Sequence, residues 1–193
     1  MRFNKISFKN YRCFLNGTVA FKETQNKNVN LLIGPNGGGK TEILFAFWWA
    51  LYGFDFSSLR AKEHTPYALN CDLYKELQEA EEGTEKSCSV TLEIEHEGTT
   101  YIVTKRCDYR KTERKIKEDE YQELCCYLPN GELSLPERNS DNIKKHLNRI
   151  IPKSILYGIV FDGERMQKLA STDEAAKNAI SGVISDITNV ELI

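Results

Sequence analysis

The sequence predicts an α/β fold in which a mixed sheet carries antiparallel β-hairpins. Three observations predict it. From Asn28 to Gly53 (NVNLLIGPNGGGKTEILFAFWWALYG) an apolar strand pattern runs into a glycine-rich loop and then into an apolar helix pattern. From Cys88 onward the alternation Cys88, Val90, Leu92, Ile94, followed by Glu97-Gly98 and a returning Tyr101–Thr104, has the period of a hairpin. With 193 residues, 40% apolar and 28% charged, the chain is long enough for a real core and ordinary enough for a globular one.

The elements follow in order. Ile6 and Phe8 alternate with Lys5, Ser7 and Lys9, the pattern of a half-buried strand. Val19–Phe21 predicts a short second strand, returning after Asn16-Gly17. The continuous apolar run of NVNLLIG predicts a strand covered on both faces. Glu42 to Tyr52 is apolar nearly all round and predicts a buried helix stopped by Gly53. Periodicity fades from Phe54 to Glu85, and the acidic YKELQEAEEGTEK reads as a surface loop or short helix. A second hairpin is expected around Asn130-Gly131 in YQELCCYLPNGELSL. NSDNIKKHLNRIIP predicts a helix capped by Ser140 or Asp141 and ended near Pro152. SILYGIVF is a further apolar strand or buried segment, reaching Asp162. Ser171 and Glu174 fit a capping box, and Ala176, Ile180, Val183, Ile187 and Val190 follow at coiled-coil-like spacing. The expected division is therefore a lobe over residues 1–170 and a helix leading towards a coiled coil over 171–193, in a chain cut from a longer protein.

The chemistry concentrates in the loop. Gly34-Pro35-Asn36-Gly37-Gly38-Gly39-Lys40-Thr41 matches G-x-x-x-x-G-K-[ST], the phosphate loop of P-loop NTPases. Glycines let successive backbone N–H groups curl around phosphate oxygens, because positive φ costs them little. The helix that follows points its unpaired N–H groups at the same oxygens. In this arrangement Lys40 reaches the β- and γ-phosphates, and the Thr41 hydroxyl ligates Mg²⁺. Glu42 follows directly and is counted with the nucleotide-binding residues. No N-K-x-D guanine signature is present, so ATP is expected rather than GTP.

Asp162 closes the other informative stretch, ILYGIVFDGERMQKLA. In a self-contained P-loop enzyme an apolar strand ending in Asp is the Walker B pattern, and Asp162 holds Mg²⁺ through water. In a two-part ATPase the same place is a lid touching metal and γ-phosphate. Either reading puts Asp162 or Glu164 near the metal.

Taken together, ISFKNYRCF, LLIGPNGGGKT, FAFWWALYG and ILYGIVFDGERMQKLASTDEA resemble, in that order, the N-terminal lobe of SMC-like ABC ATPases of the RecF/RecN and DNA-break-repair group. The wording FWWALYG and FDGER is most similar to DndD-type proteins, which accompany DNA phosphorothioation systems. The resemblance implies an N-terminal and a C-terminal lobe joined by a long coiled coil, with two composite heads sandwiching two ATP molecules. It also implies that Arg12 lies near the nucleotide phosphates and that Asp162 stands where relatives carry the Q-loop glutamine; Gln167 is the less favoured substitute. The LSGG signature, the acidic Walker B pair and the switch His of relatives are missing, and ISGV at Ile180 is a poor imitation. The lobe is therefore expected to bind ATP and Mg²⁺ without efficient turnover on its own. A homodimer, DNA, and a nuclease or defence-system subunit are the implied partners, in a prokaryotic cytoplasm beside the nucleoid.

Other features bound the reading. A net charge of −2 excludes bulk attraction to nucleic acid, so DNA would need a local patch. Lys105, Arg106, Arg110, Lys111, Arg114, Lys115 and Lys117 offer one, interleaved with Glu113 and followed by Glu118, Asp119 and Glu120; a solvated strand connection is the plainer alternative. No apolar stretch has the length of a membrane span. The six cysteines show no C-x-x-C pair and read as reduced packing residues. Two rival functions stay open: a complete small P-loop kinase or NTPase using Asp162, and a non-hydrolysing nucleotide-sensing module.

Overall fold

The computed structural model describes residues 1–22, 29–54, 66–128 and 130–153. The chain divides into two compact units, Met1–Lys144 and Lys145–Ile193. The expected strand at 154–161, Asp162, Glu164, Gln167, the coiled-coil-like helix and the expected boundary at 170/171 lie outside the described residues.

In the first unit five strands form one antiparallel sheet in the order β2-β1-β3-β4-β5. They are β1 (Arg2–Tyr11), β2 (Phe14–Ala20), β3 (Glu85–His96), β4 (Thr99–Lys111) and β5 (Ile116–Cys126). The hairpin expected from the Cys88–Ile94 alternation is β3–β4. Glu97 at φ 49° and Gly98 at φ 76° make its turn, both left-handed as a tight hairpin requires. Cys88, Val90, Leu92 and Ile94 are buried, as are Val103 and Cys107, which pair with Leu92 and Cys88, and Tyr109 further along β4. All six cysteines are free. The alternation on β1 is broken twice, and each break turns an aromatic ring inward: Phe3 is half-buried against Phe47, and Tyr11 is buried. A bulge between Phe3 and Lys5 lets Phe3 pair with Ile94 while Ile6 pairs with Leu92. Asn10, at φ 51°, shifts the phase again, so that Tyr11 is fully buried and stacks on Trp49 at 5.5 Å.

Helix α1 (Lys40–Tyr52) lies on this inner face. Its apolar composition on all sides matches its burial: Ile43, Phe45–Leu51 are all buried. Each large side chain removed from water there contributes about 1.5–3 kcal/mol. Gly53 ends the helix, its N–H bonding Trp49 O at 3.1 Å. Gln122 of β5 donates to the last carbonyls, Ala50 O and Leu51 O, at 2.7 and 3.1 Å, and Glu120 accepts from Trp49 Nε1 at 3.1 Å.

Several expectations are corrected. Asn16-Gly17 is not a turn: Gly17 pairs with Phe8 and Asn16 with Lys9 inside the β1–β2 ladder, and the chain reverses earlier, at Arg12-Cys13. Arg12 itself takes φ 51°, so the left-handed position is filled by a residue that turn statistics do not favour. NVNLLIG is not a covered strand over its described part. Val29, Leu31 and Ile33 are 84, 79 and 86% exposed, and no described strand pairs with them. A central strand is buried only when neighbours satisfy its backbone on both sides, and none of the five strands supplies that. The acidic stretch, by contrast, takes the short helix that was one of its two expected forms: α2 (Cys71–Glu79), capped by Asn70, whose side chain accepts from Asp72 N and Leu73 N. The first arm of the hairpin expected from Tyr121 begins five residues earlier, at Ile116, as β5. That hairpin exists: Tyr127 bridges Leu133 around Gly131 at φ 81°.

Helix α3 (Ser140–Ile150) begins in the first unit and ends in the second. Its cap is Asn139 rather than Ser140 or Asp141, because Asn139 Oδ1 accepts from Asp141 N and Asn142 N at 3.0 and 3.1 Å. Within the second unit Ile151 N–H continues the helical pattern to Leu147 O, and Lys153 N–H bonds Asn148 Oδ1.

Candidate phosphate-binding site

The glycine-rich loop has the geometry its sequence demands. Gly37 and Gly39 take φ 79° and 83°, left-handed values that cost an L-residue roughly 1–2 kcal/mol. Gly38 N–H closes a turn on Pro35 O at 3.1 Å. The loop residues from Gly34 to Gly38 are exposed. At Gly39 the chain enters α1 with no side-chain cap, and its first bond is Ile43 N–H to Gly39 O. The N–H groups of the first turn are thus left for another acceptor. Lys40 folds its ammonium back over the loop, donating to Gly34 O and Pro35 O at 2.8 and 2.7 Å. A positive charge and several uncapped N–H groups therefore converge on one short loop. That donor set fits a polyphosphate, and Thr41, half-buried one residue along, fits a metal held beside it.

Behind the loop stands the β1–β2 turn. A Cβ placed on Gly39 would come within 2.6 Å of Cys13 Sγ and 2.8 Å of Phe14 Cζ. The turn packs on the loop closely enough that any Cβ at this position would force Cys13 and Phe14 to shift. From the same turn Arg12 sends its guanidinium to Glu42 in the first turn of α1. Nε and Nη2 donate to Oε2 and Oε1 at 2.8 and 3.1 Å, and Nη1 donates to Tyr67 O at 2.8 Å. Burial, then the Glu42 carboxylate, push the phenol of Tyr11 well up and the thiol of Cys13 up as well. Tyr67 stacks on Tyr74 at 3.7 Å, and Tyr74 meets Tyr109 edge-on.

The structure thus brings together Arg12, Gly34, Pro35, Asn36, Gly37, Gly38, Gly39, Lys40, Thr41 and Glu42, while Asp162 lies outside the described residues. Tyr67, Asn70, Cys13 and Phe14 join the site from positions the sequence gives no reason to select. Nothing local in Pro66–Asn70 reveals that it closes on a turn more than fifty residues earlier. Among the described residues no group of His, Cys, Asp and Glu side chains forms a metal site by itself.

A family model described as an AAA domain matches residues 5–186. The chain belongs to that family. Over 80 residues the chain is 31% identical to the DNA double-strand break repair Rad50 ATPase of Nanoarchaeum equitans (strain Kin4-M), covering 42% of the chain and 8% of that protein. The chain thus spans only a small part of the length of that curated relative. The AAA domain also shares its fold with a solved structure from work on the structural biochemistry of ATP-driven dimerization and DNA stimulated activation of SMC ATPases. The TM-score is 0.54 at 16% identity, over 94% of this chain and 98% of that one. The expected α/β class stands.

The basic residues fare differently from the loop. Lys105 pairs with Glu120 at 2.7 Å, Arg106 with Asp108 at 2.6 Å and Arg110 with Glu85 at 3.4 Å, while Lys111 Nζ donates to Gln78 O. Arg114, Lys115 and Lys117 stand exposed at the tip of the β4–β5 hairpin. No helix among the described residues is long and apolar enough to cross a membrane.

Proposed function

We propose that this chain is the ATP-binding lobe of an SMC-like ATPase whose catalytic site is completed by a second lobe. The observation that carries the reading is the loop itself: left-handed Gly37 and Gly39, an uncapped α1 N-terminus and the Lys40 ammonium folded over Gly34 and Pro35. Asn36, Gly37 and Gly39, with the first turn of α1, offer backbone N–H groups to the β- and γ-phosphates. Lys40 neutralises the same oxygens, and Thr41 and Asp162 are the residues that would hold Mg²⁺. The cation supplies charge neutralisation along the phosphates when bound. Arg12 and Glu42 form the wall behind. Nothing in this set activates a water molecule, so the base for hydrolysis is assigned to the second lobe.

The exposed Val29, Leu31 and Ile33 support a second lobe that adds its strands to this segment. We assign that role to a C-terminal lobe of the same protein, with two such heads closing on ATP as a homodimer. The work on SMC ATPases concerns ATP-driven dimerization and DNA, which favours this arrangement. DNA is the proposed substrate surface's partner, with Arg114, Lys115 and Lys117 as candidate phosphate contacts and DNA repair or defence as the setting. The resemblance to DndD-type proteins favours defence, beside a nuclease or another defence subunit, in a prokaryotic cytoplasm near the nucleoid. The test supplies the chain with and without its C-terminal lobe and measures phosphate release. Turnover only in the joined protein is the expected result. Efficient turnover by residues 1–193 alone, lost in Asp162→Asn, would overturn it in favour of a self-contained P-loop enzyme.

A further inference from the structure

We infer that Arg12 is a positioning residue of the phosphate-binding helix, acting through Glu42 to set the first turn of α1. The inference rests on the ATP-binding reading above and assigns to one residue of that site a role of its own.

Arg12 is held on every side. Its backbone is left-handed at φ 51°, a conformation that a long side chain adopts only where its surroundings enforce it. Its N–H bonds Ala68 O at 2.9 Å, its carbonyl accepts from Asn70 Nδ2 at 2.7 Å, and Asn70 N–H bonds Asn10 O at 2.8 Å. The side chain is 3% exposed and meets a Glu42 carboxylate that is 15% exposed, fork to fork. A third donor holds Tyr67 O. One residue therefore ties the β1–β2 turn, the 67–70 segment and the first turn of α1 into a single unit. The pair is attached one residue after Thr41 and two after Lys40.

Glu42 explains why such a tie is useful. A carboxylate in the first turn of a helix is drawn to that turn's own free N–H groups. Those are the donors the phosphates need. Arg12 directs the carboxylate away from them, towards the sheet, and cancels its charge. The planar fork matters: a lysine offers a point charge and cannot engage both oxygens and Tyr67 O in one plane.

The experiment is a double-mutant cycle read as the MgATP dissociation constant of the folded protein, with melting curves recorded alongside. Arg12→Gln and Arg12→Lys should each weaken MgATP binding on the order of 10–100-fold, as happens when a residue orienting a ligand-binding group from behind is lost. In a Glu42→Gln background the same two changes should cost less than about threefold, because the group they act through is gone. A merely structural role would lower the melting temperature without moving the dissociation constant of the folded fraction. Equal losses in both backgrounds, or rescue by Arg12→Lys, would overturn the assignment in favour of direct phosphate contact. If Arg12→Gln fails to fold, the cycle built on Arg12→Lys decides alone. Binding lost in Lys40→Ala but kept in every Arg12 and Glu42 variant would overturn only this inference; a wild-type chain that does not bind MgATP would take down both.

Discussion

Gly39→Ala separates two costs that are usually mixed at a phosphate loop. At φ 83° the alanine pays the left-handed penalty, roughly 1–2 kcal/mol. Its Cβ also lands 2.6 Å from Cys13 Sγ and 2.8 Å from Phe14 Cζ, well inside contact distance. Relieving such overpacking typically costs a further 1–3 kcal/mol or so. The total is about 2–5 kcal/mol, a large share of the ~5–15 kcal/mol that holds a domain folded. Gly37 is the control. Its φ is nearly the same, 79°, but nothing lies within 4 Å of an added Cβ. Gly37→Ala should therefore pay only the backbone term. Urea denaturation of both variants gives the difference, expected at about 1–3 kcal/mol in favour of Gly37→Ala. Adding Cys13→Ala to Gly39→Ala removes the sulfur contact and should recover part of the loss, while the Phe14 ring still crowds the site. If both glycine variants lose the same stability, or Cys13→Ala recovers nothing, the β1–β2 turn does not press on the loop as argued.

Two further perturbations probe the support of the site. Asn70→Ala removes the cap of α2 and the bond to Arg12 O together. It should cost about 1–2 kcal/mol by denaturation, with the cap alone accounting for the lower end; an unchanged midpoint would remove Asn70 from the account. The Glu118 carboxyl is pushed above the usual carboxylate range, first by desolvation and then by Glu120. The native state then holds this proton more tightly than the unfolded chain does, so the site favours folding at acid pH. That advantage is lost as pH rises from the ordinary carboxylate range through the raised native value. Glu118→Gln should therefore raise the melting temperature modestly at about pH 8 and leave it nearly unchanged at about pH 4. The opposite ordering would refute the sign.

The parts of this protein that declare themselves in sequence are those governed by local pattern. Gly34 to Thr41 needed only its spacing, α1 its apolar composition and β3–β4 its alternation and Glu97-Gly98 turn. What stayed hidden depends on contacts between distant residues. The β1–β2 reversal sits on Arg12 because Glu42, Tyr67, Ala68 and Asn70 hold it there, not because arginine favours turns. Asn16-Gly17 is a good turn signal overruled by pairing with Lys9 and Phe8. The 29–33 run reads as a buried strand because its composition is suited to one, but burial also needs neighbours that the described sheet does not provide. The basic run from Lys105 to Lys117 reads either as a patch or as a solvated strand connection; pairing with Glu120, Asp108 and Glu85 engages Lys105, Arg106 and Arg110, three of its seven cations.

The central claim is that Gly34 to Thr41 is a working phosphate site rather than a flexible turn. Calorimetric titration of MgATP into the wild-type chain and into Lys40→Ala tests it most directly. Losing the ammonium that now rests on Gly34 O and Pro35 O should weaken binding by at least about tenfold, or ~1.4 kcal/mol, while the melting temperature of the free protein barely moves. Equal affinity of the two proteins for MgATP would contradict the account.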